Sequence, residues 1–181
     1  LYLYLLRYIQ HGGISQPAGV DTLLENEIYA PLPQECKDLL FALHPLERFT
    51  LAQADFLYGA DTRKLLAELC RKNSFITFEH AGQAFAVHSL FRQYLAGMFA
   101  ELPEDRKADI YTKCGDWFLA RNEMAAAMEI YYAAGDFEQA LTVLEGDMNR
   151  NLVTENAAFF TKMFKACPED VLERHIGAAF K

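Results

Sequence analysis

Between Phe75 and Leu95 the sequence FITFEHAGQAFAVHSLFRQYL changes its hydrophobic period, and that change constrains the fold more than any other feature. Phe75, Ile76 and Phe78, then Phe85 and Val87, are β-favouring residues on either side of the turn signal His80-Ala81-Gly82-Gln83, which specifies a β-hairpin. Beyond His88 the apolar positions are Phe91, Tyr94, Leu95, Met98, Phe99 and Leu102, spaced by three and four as on one face of an α-helix. Upstream, Thr62 is placed to N-cap a helix carrying Leu65, Leu66 and Leu69. Helix, hairpin and helix in that order describe a winged helix, with His88 at the junction of wing and helix.

The flanking sequence is helical in pattern. His11 to Val20 is a loop signal, and a helix is expected from near Asp21 until Pro31 and Pro33 end it and start the next, with Leu39, Leu40 and Leu43 on its apolar face. After Pro103, Ile110, Cys114, Trp117, Phe118 and Arg121 mark one helix, and Met124, Ala127, Ile130, Tyr131 and Ala134 mark a second, joined by a short connection at Asn122. Gly135-Asp136 supplies a C-cap and an N-cap in adjacent positions, opening a third helix with Phe137, Ala140, Leu141 and Leu144. Asp147 to Asn151 reads as a turn, Thr154 to Lys165 as a helix, and Pro168 as a further start. The expected fold is mostly α: a winged-helix domain with a short β-hairpin, then an antiparallel, tetratricopeptide-like helical-repeat domain. True self-similarity near the tetratricopeptide period of about 34 residues is lacking, so only the helical-hairpin pattern is claimed.

Val87 to Leu95, VHSLFRQYL, resembles the hydrophobic-His-x-Leu-Phe-x-x-Phe/Tyr-Leu signature that closes the winged-helix domain of MalT-like signal-transducing (STAND) NTPases, the large ATP-dependent LuxR-type transcription regulators of bacteria. Leu32 to Gly59 is similar to the opening helices of that domain, and Leu102 to Glu145 to the helical segment that follows it. The resemblance implies domains at 1–20 (the end of a preceding helical lid and a loop), 21–101 (winged helix) and 102–181 (helical repeats). It implies that His88 contacts the β-phosphate of ADP and holds a closed, inactive state. Read from the residues alone, His88 either caps the following helix or packs in the core with one nitrogen satisfied. Ser89 stands where the family often has proline or histidine.

The other chemistry-bearing residues read as structural. Cys36, Cys70, Cys114 and Cys167 are widely separated and lack the spacing of a structural zinc site, so reduced thiols and no metal site are expected. His44, before Pro45, reads as a helix-end histidine, and Arg92 and Gln93 as a solvated helix face. Tyr111, Trp117 and Phe118 read as a core stripe first, with an interaction groove as the alternative. Tyr131 points inward with Ala127 and Ala134, which leaves its neighbour Tyr132 partly outside as a candidate partner surface. No phosphate loop, nucleophile elbow or carboxylate dyad occurs, so catalytic residues are not expected and the chain is not a complete P-loop NTPase.

Charge and hydropathy bound the setting. A net charge of −8 argues against contact with a phosphate backbone, since the helix from Thr62 offers only Arg63, Lys64, Arg71 and Lys72. No apolar run reaches the roughly 20 residues that span a bilayer. The opening without methionine and the ending at Ala-Ala-Phe-Lys suggest a piece of a longer chain. With these bounds, the resemblance implies an internal regulatory segment of a cytoplasmic, ATP-dependent regulator that couples nucleotide state and inducer sensing to DNA binding by the parent. No cofactor is expected in the segment itself, with ATP or ADP held by the parent. Expected partners are the nucleotide-binding domain of the same chain and an inducer or regulatory protein, with DNA reached only through a separate domain and no membrane contact. The alternative is a helical protein-interaction module of a non-transcriptional regulator or scaffold; a stand-alone enzyme is a weaker third class.

Overall fold

The computed structural model describes residues 17–59, 61–72, 75–147, 152–153 and 156–175. The chain divides into two compact units, Leu1–Leu102 and Pro103–Lys181. Most of the expected lid remnant at 1–20 lies outside the described residues, as do Thr154 and most of the turn expected at Asp147 to Asn151.

In the first unit α1 (Pro17–Leu24) runs into a π-helical turn, Glu25–Tyr29. The helix thus begins before Asp21, the expected start. Proline is at home at the first helical position, where its missing N–H has no partner to lose. α2 (Gln34–Ala42) follows Pro33 and buries Cys36, Leu39, Leu40 and Phe41, with Leu43 buried just beyond it. β1 (Arg48–Phe49) leads to α3 (Leu51–Tyr58), which a capping box opens: Thr50 Oγ1 accepts from the Gln53 amide and Gln53 Oε1 accepts from the Thr50 amide.

α4 (Thr62–Lys72) corrects the expected cap. Thr62 is already helical, and the Asp61 carbonyl accepts from the Lys64 and Leu65 amides. The buried Thr62 hydroxyl instead donates back to the Gly59 carbonyl, tying α4 to the end of α3. Leu66 and Leu69 are buried as their spacing requires, while Leu65 is half-buried.

β2 (Ile76–Glu79) and β3 (Ala84–Val87) form the expected hairpin, with Phe78 opposite Phe85. β1 adds an edge strand that sequence reading did not anticipate. It pairs antiparallel with β3 to give the order β1-β3-β2 and sets Phe49 opposite Phe85. Three phenylalanines therefore share one rung of the sheet. Phe49 and Phe85 stack at 5.6 Å and Phe85 meets Phe78 at 4.9 Å, so burial grades from Phe49 to the exposed Phe78. α5 (Ser89–Ala100) closes the unit with Phe91, Leu95 and Phe99 buried. The mostly helical chain with a small antiparallel sheet is the fold expected from the sequence.

The second unit contains α6 (Glu104–Leu119), α7 (Met124–Ala134), α8 (Phe137–Gly146), α9 (Ala157–Ala166) and α10 (Glu169–Arg174). Gly135 takes the left-handed φ of 75° that ends α7, and Asp136 Oδ1 accepts from the Gln139 amide to start α8. Arg121 lies past the end of α6. Its guanidinium sits 3.0 Å from the centre of the Trp117 ring and donates to the Trp117 carbonyl at 3.1 Å. Met128, Tyr131, Leu141, Leu144, Phe160 and Met163 build the core.

Tyr131 is packed through a glycine. A Cβ on Gly115 would lie 2.4 Å from the Tyr131 ring, whose hydroxyl donates to Asp116 at 3.1 Å. Gly115→Ala should therefore lower stability by about 1–3 kcal/mol through overpacking, even though alanine is the better helix former. Gly97→Ala, in α5 with nothing within 4 Å of the added carbon, should raise it by roughly 0.5–1 kcal/mol. Urea unfolding of the two variants beside the parent protein would check both signs.

Candidate functional site

The site is the seam where the wing becomes a helix. His88 has extended backbone, φ −60° and ψ 136°, and is the N-cap of α5. Its amide donates to the Phe75 carbonyl at 2.7 Å, one step beyond the last β2–β3 pair, Ile76 and Val87. Its carbonyl already accepts from the Arg92 amide at 2.9 Å, so one residue ends the ladder and begins the helix.

The His88 side chain is held from two directions. Nδ1 accepts from the Leu90 amide at 3.3 Å, doing for an imidazole what an Asn or Ser oxygen does at an N-cap. The Phe75 ring meets the imidazole edge-on at 5.8 Å and an interplanar angle of 84°. A nitrogen that accepts a hydrogen bond carries no proton, so the neutral ring keeps its proton on Nε2. The capping role is thus present in the structure, and it is made through Nδ1.

Beside this seam lies a cavity of about 370 Å³ lined by His44, Glu47, Val87, Ser89, Arg92, Gln93 and Ala96. Ser89, Arg92, Gln93 and Ala96 fall at helical spacing, so α5 turns one continuous face toward it. Sequence reading treated Arg92 and Gln93 as a solvated face. Gln93 is exposed, but Arg92 is half-buried and reaches Glu47 at 3.4 Å. With Glu47 exposed and Arg92 only half-buried, that pair contributes little to stability.

His44 is the residue that sequence reading undervalued. It does follow a helix, as expected from His-Pro, but it stacks on Phe99 with ring centres 4.1 Å apart. Its Nδ1 is buried without a hydrogen-bond partner. Burial, with the nearby Arg92 charge, lowers its pKa from the ordinary 6.5 to about 4. Nothing local in Leu43-His44-Pro45 signals this, because Phe99 arrives from α5.

The remaining candidates lie on other elements and are described each within its own unit. Tyr132 is half-buried among its own unit's side chains, edge-on to Phe137 at 5.9 Å and Phe159 at 5.5 Å, with the Lys162 ammonium 5.5 Å from the ring centre. Cys36, Cys114 and Cys167 are buried, Cys70 is half-buried, and all four are free thiols. Burial pushes the Cys114 thiol up to about 12, which keeps it neutral and inert. Among the described residues no group of histidine, cysteine and carboxylates is arranged to hold a metal ion, and no helix is long and apolar enough to cross a membrane.

Comparison with known proteins bears on the same region. Residues 25–107 match the family model of the MalT winged helix domain. The match spans the sheet, the seam and the whole of α5. No curated protein and no solved structure gives a significant match.

His44 also makes acid sensitivity predictable. The unfolded chain holds this group near 6.5 and the folded unit near 4, so the unfolded state binds the extra proton between those values. The stabilising contribution is complete above 6.5 and declines as pH falls toward 4. His44→Phe, which keeps a ring against Phe99, should flatten this decline. Melting temperature followed against pH for both proteins measures it.

Proposed function

We propose, with the MalT winged-helix match as premise, that this chain is an internal regulatory segment of an ATP-dependent, LuxR-type transcriptional regulator of the signal-transducing NTPase class. Its winged helix holds the nucleotide-binding domain of the same chain shut while ADP is bound. The tetratricopeptide-like unit passes on the binding of an inducer or a regulatory protein. DNA is contacted through a separate domain and the regulator works in the bacterial cytoplasm. The segment itself carries no catalysis and holds no cofactor; the parent binds ATP or ADP and is a slow ATPase switch.

The observation that carries this reading is the position of His88 within the matched span: an N-cap histidine whose Nδ1 is committed to the Leu90 amide. Capping and phosphate contact then need different atoms of one ring. Nε2–H is a donor at the end of a helix whose first-turn amides and macrodipole favour an anion. ADP is the resting ligand because a donor on its terminal β-phosphate ties the winged helix to the nucleotide. Exchange for ATP, assisted by inducer, removes that tie.

A helical interaction module of a non-transcriptional regulator or scaffold is the second reading. It is supported by the unit from Pro103 onward, where the helices α6, α7 and α8 follow one another through short connections.

His88→Ala in the full-length protein separates the two. On the regulator reading it weakens ADP retention through purification and raises inducer-independent activity. Loss of the cap alone lowers stability by only about 0.5–2 kcal/mol. Unchanged ADP content in a folded variant would return His88 to its capping role alone.

A further inference from the structure

α10 is a six-residue helix, too short to hold itself in water. Its buried anchor is Val171, with Leu172 packed alongside. Next to that small apolar contact sits a charge cluster of unusual stoichiometry. His175, directly after α10, places Nε2 at 2.7 Å from Glu138 Oε2 and Nδ1 at 3.3 Å from Glu145 Oε2. Glu138 and Glu145 are two helical turns apart on one face of α8, so the ring is clamped between them. The imidazole side chain is only 13% exposed.

An acceptor on each ring nitrogen has a chemical consequence. A neutral imidazole has one N–H, so one of its two carboxylate contacts would set a lone pair against an anionic oxygen. Only the imidazolium satisfies both. Among the described residues the cluster also holds Arg174 and Asp170, both on α10, with the Cys167 thiol, pushed up by burial and by the Asp170 and Glu138 charges, beside it. Arg174 donates to Glu138 through Nε at 2.9 Å and Nη2, and to Asp170 at 3.1 Å. Arg174 stays charged at every relevant pH, whereas an imidazole can gain or lose its proton, so His175 decides whether the clamp closes.

We propose that His175, Glu138 and Glu145 form a proton-operated latch that fastens α10 to α8 when His175 is charged and releases it when the proton is lost. Both carboxylates raise the pKa of His175 above the ordinary 6.5. The folded form therefore binds the proton more tightly than the unfolded chain. Stabilisation is complete below 6.5 and disappears as pH rises through the folded value. The dependence is opposite in sign to that of His44, so acidification loosens the winged-helix unit and tightens the end of the helical unit. α10 is the element that moves, and the proton is the ligand.

The test is proton NMR titration of the His175 ring in the whole chain, assigned by its loss in His175→Gln, together with hydrogen exchange of α10 amides between about pH 6 and about pH 8.5. The latch predicts a His175 midpoint above 6.5 and a several-fold loss of α10 protection across that range, after correction for intrinsic exchange. Glu145→Gln, which leaves the Arg174 contacts and the Glu138 contact intact, should lower the midpoint and weaken the pH dependence. A midpoint at or below 6.5, or α10 protection that follows pH equally in the parent protein and His175→Gln, would overturn the proposal.

Discussion

The hydrogen bond from the His88 amide to the Phe75 carbonyl is the constraint on which the winged-helix unit depends. It carries the hairpin ladder one residue past its last paired rung and fixes the direction in which α5 departs. With that direction set, Phe91 comes 5.7 Å from Phe75, and Phe99 reaches both Phe41 and His44. If the junction slipped by one residue, every side chain of β3 would exchange faces and the Phe49, Phe85, Phe78 rung would be lost. The side chain of His88 reinforces the same choice by capping the helix its backbone begins.

Much of this was legible because local rules and global fold agree. The turn at His80 to Gln83, the helix beyond His88, the Gly135-Asp136 junction and the buried stripes of α7 and α8 all follow from period and cap chemistry within a few residues. Pro33 and Pro168 start helices where proline is expected to. Thr50-Leu-Ala-Gln53 also carried its capping box in plain sight, and reading it would have placed α3.

The misreadings share a cause, which is a partner distant in sequence. β1 is two residues long and has no period of its own; it is a strand because β3 offers an unpaired edge. Thr62 resembles an N-cap by type, yet the Gly59 carbonyl takes its hydroxyl and Asp61 takes its place. Arg92 looks solvated on a helical wheel until Glu47 and His44 are brought beside it.

The sequence by itself determined the fold class, the position of the wing, the histidine at its seam and the lack of any catalytic motif, because each rests on residues close enough along the chain to act through backbone geometry. Tertiary structure alone decided the charge states. His44 and His175 are the same residue type, and neither is distinguished by its neighbours in sequence. One is stripped of water against Phe99, which lowers its proton affinity; the other is gripped by two carboxylates, which raise it. Proton affinity depends on burial and on the charges within a few ångströms, and only folding supplies those.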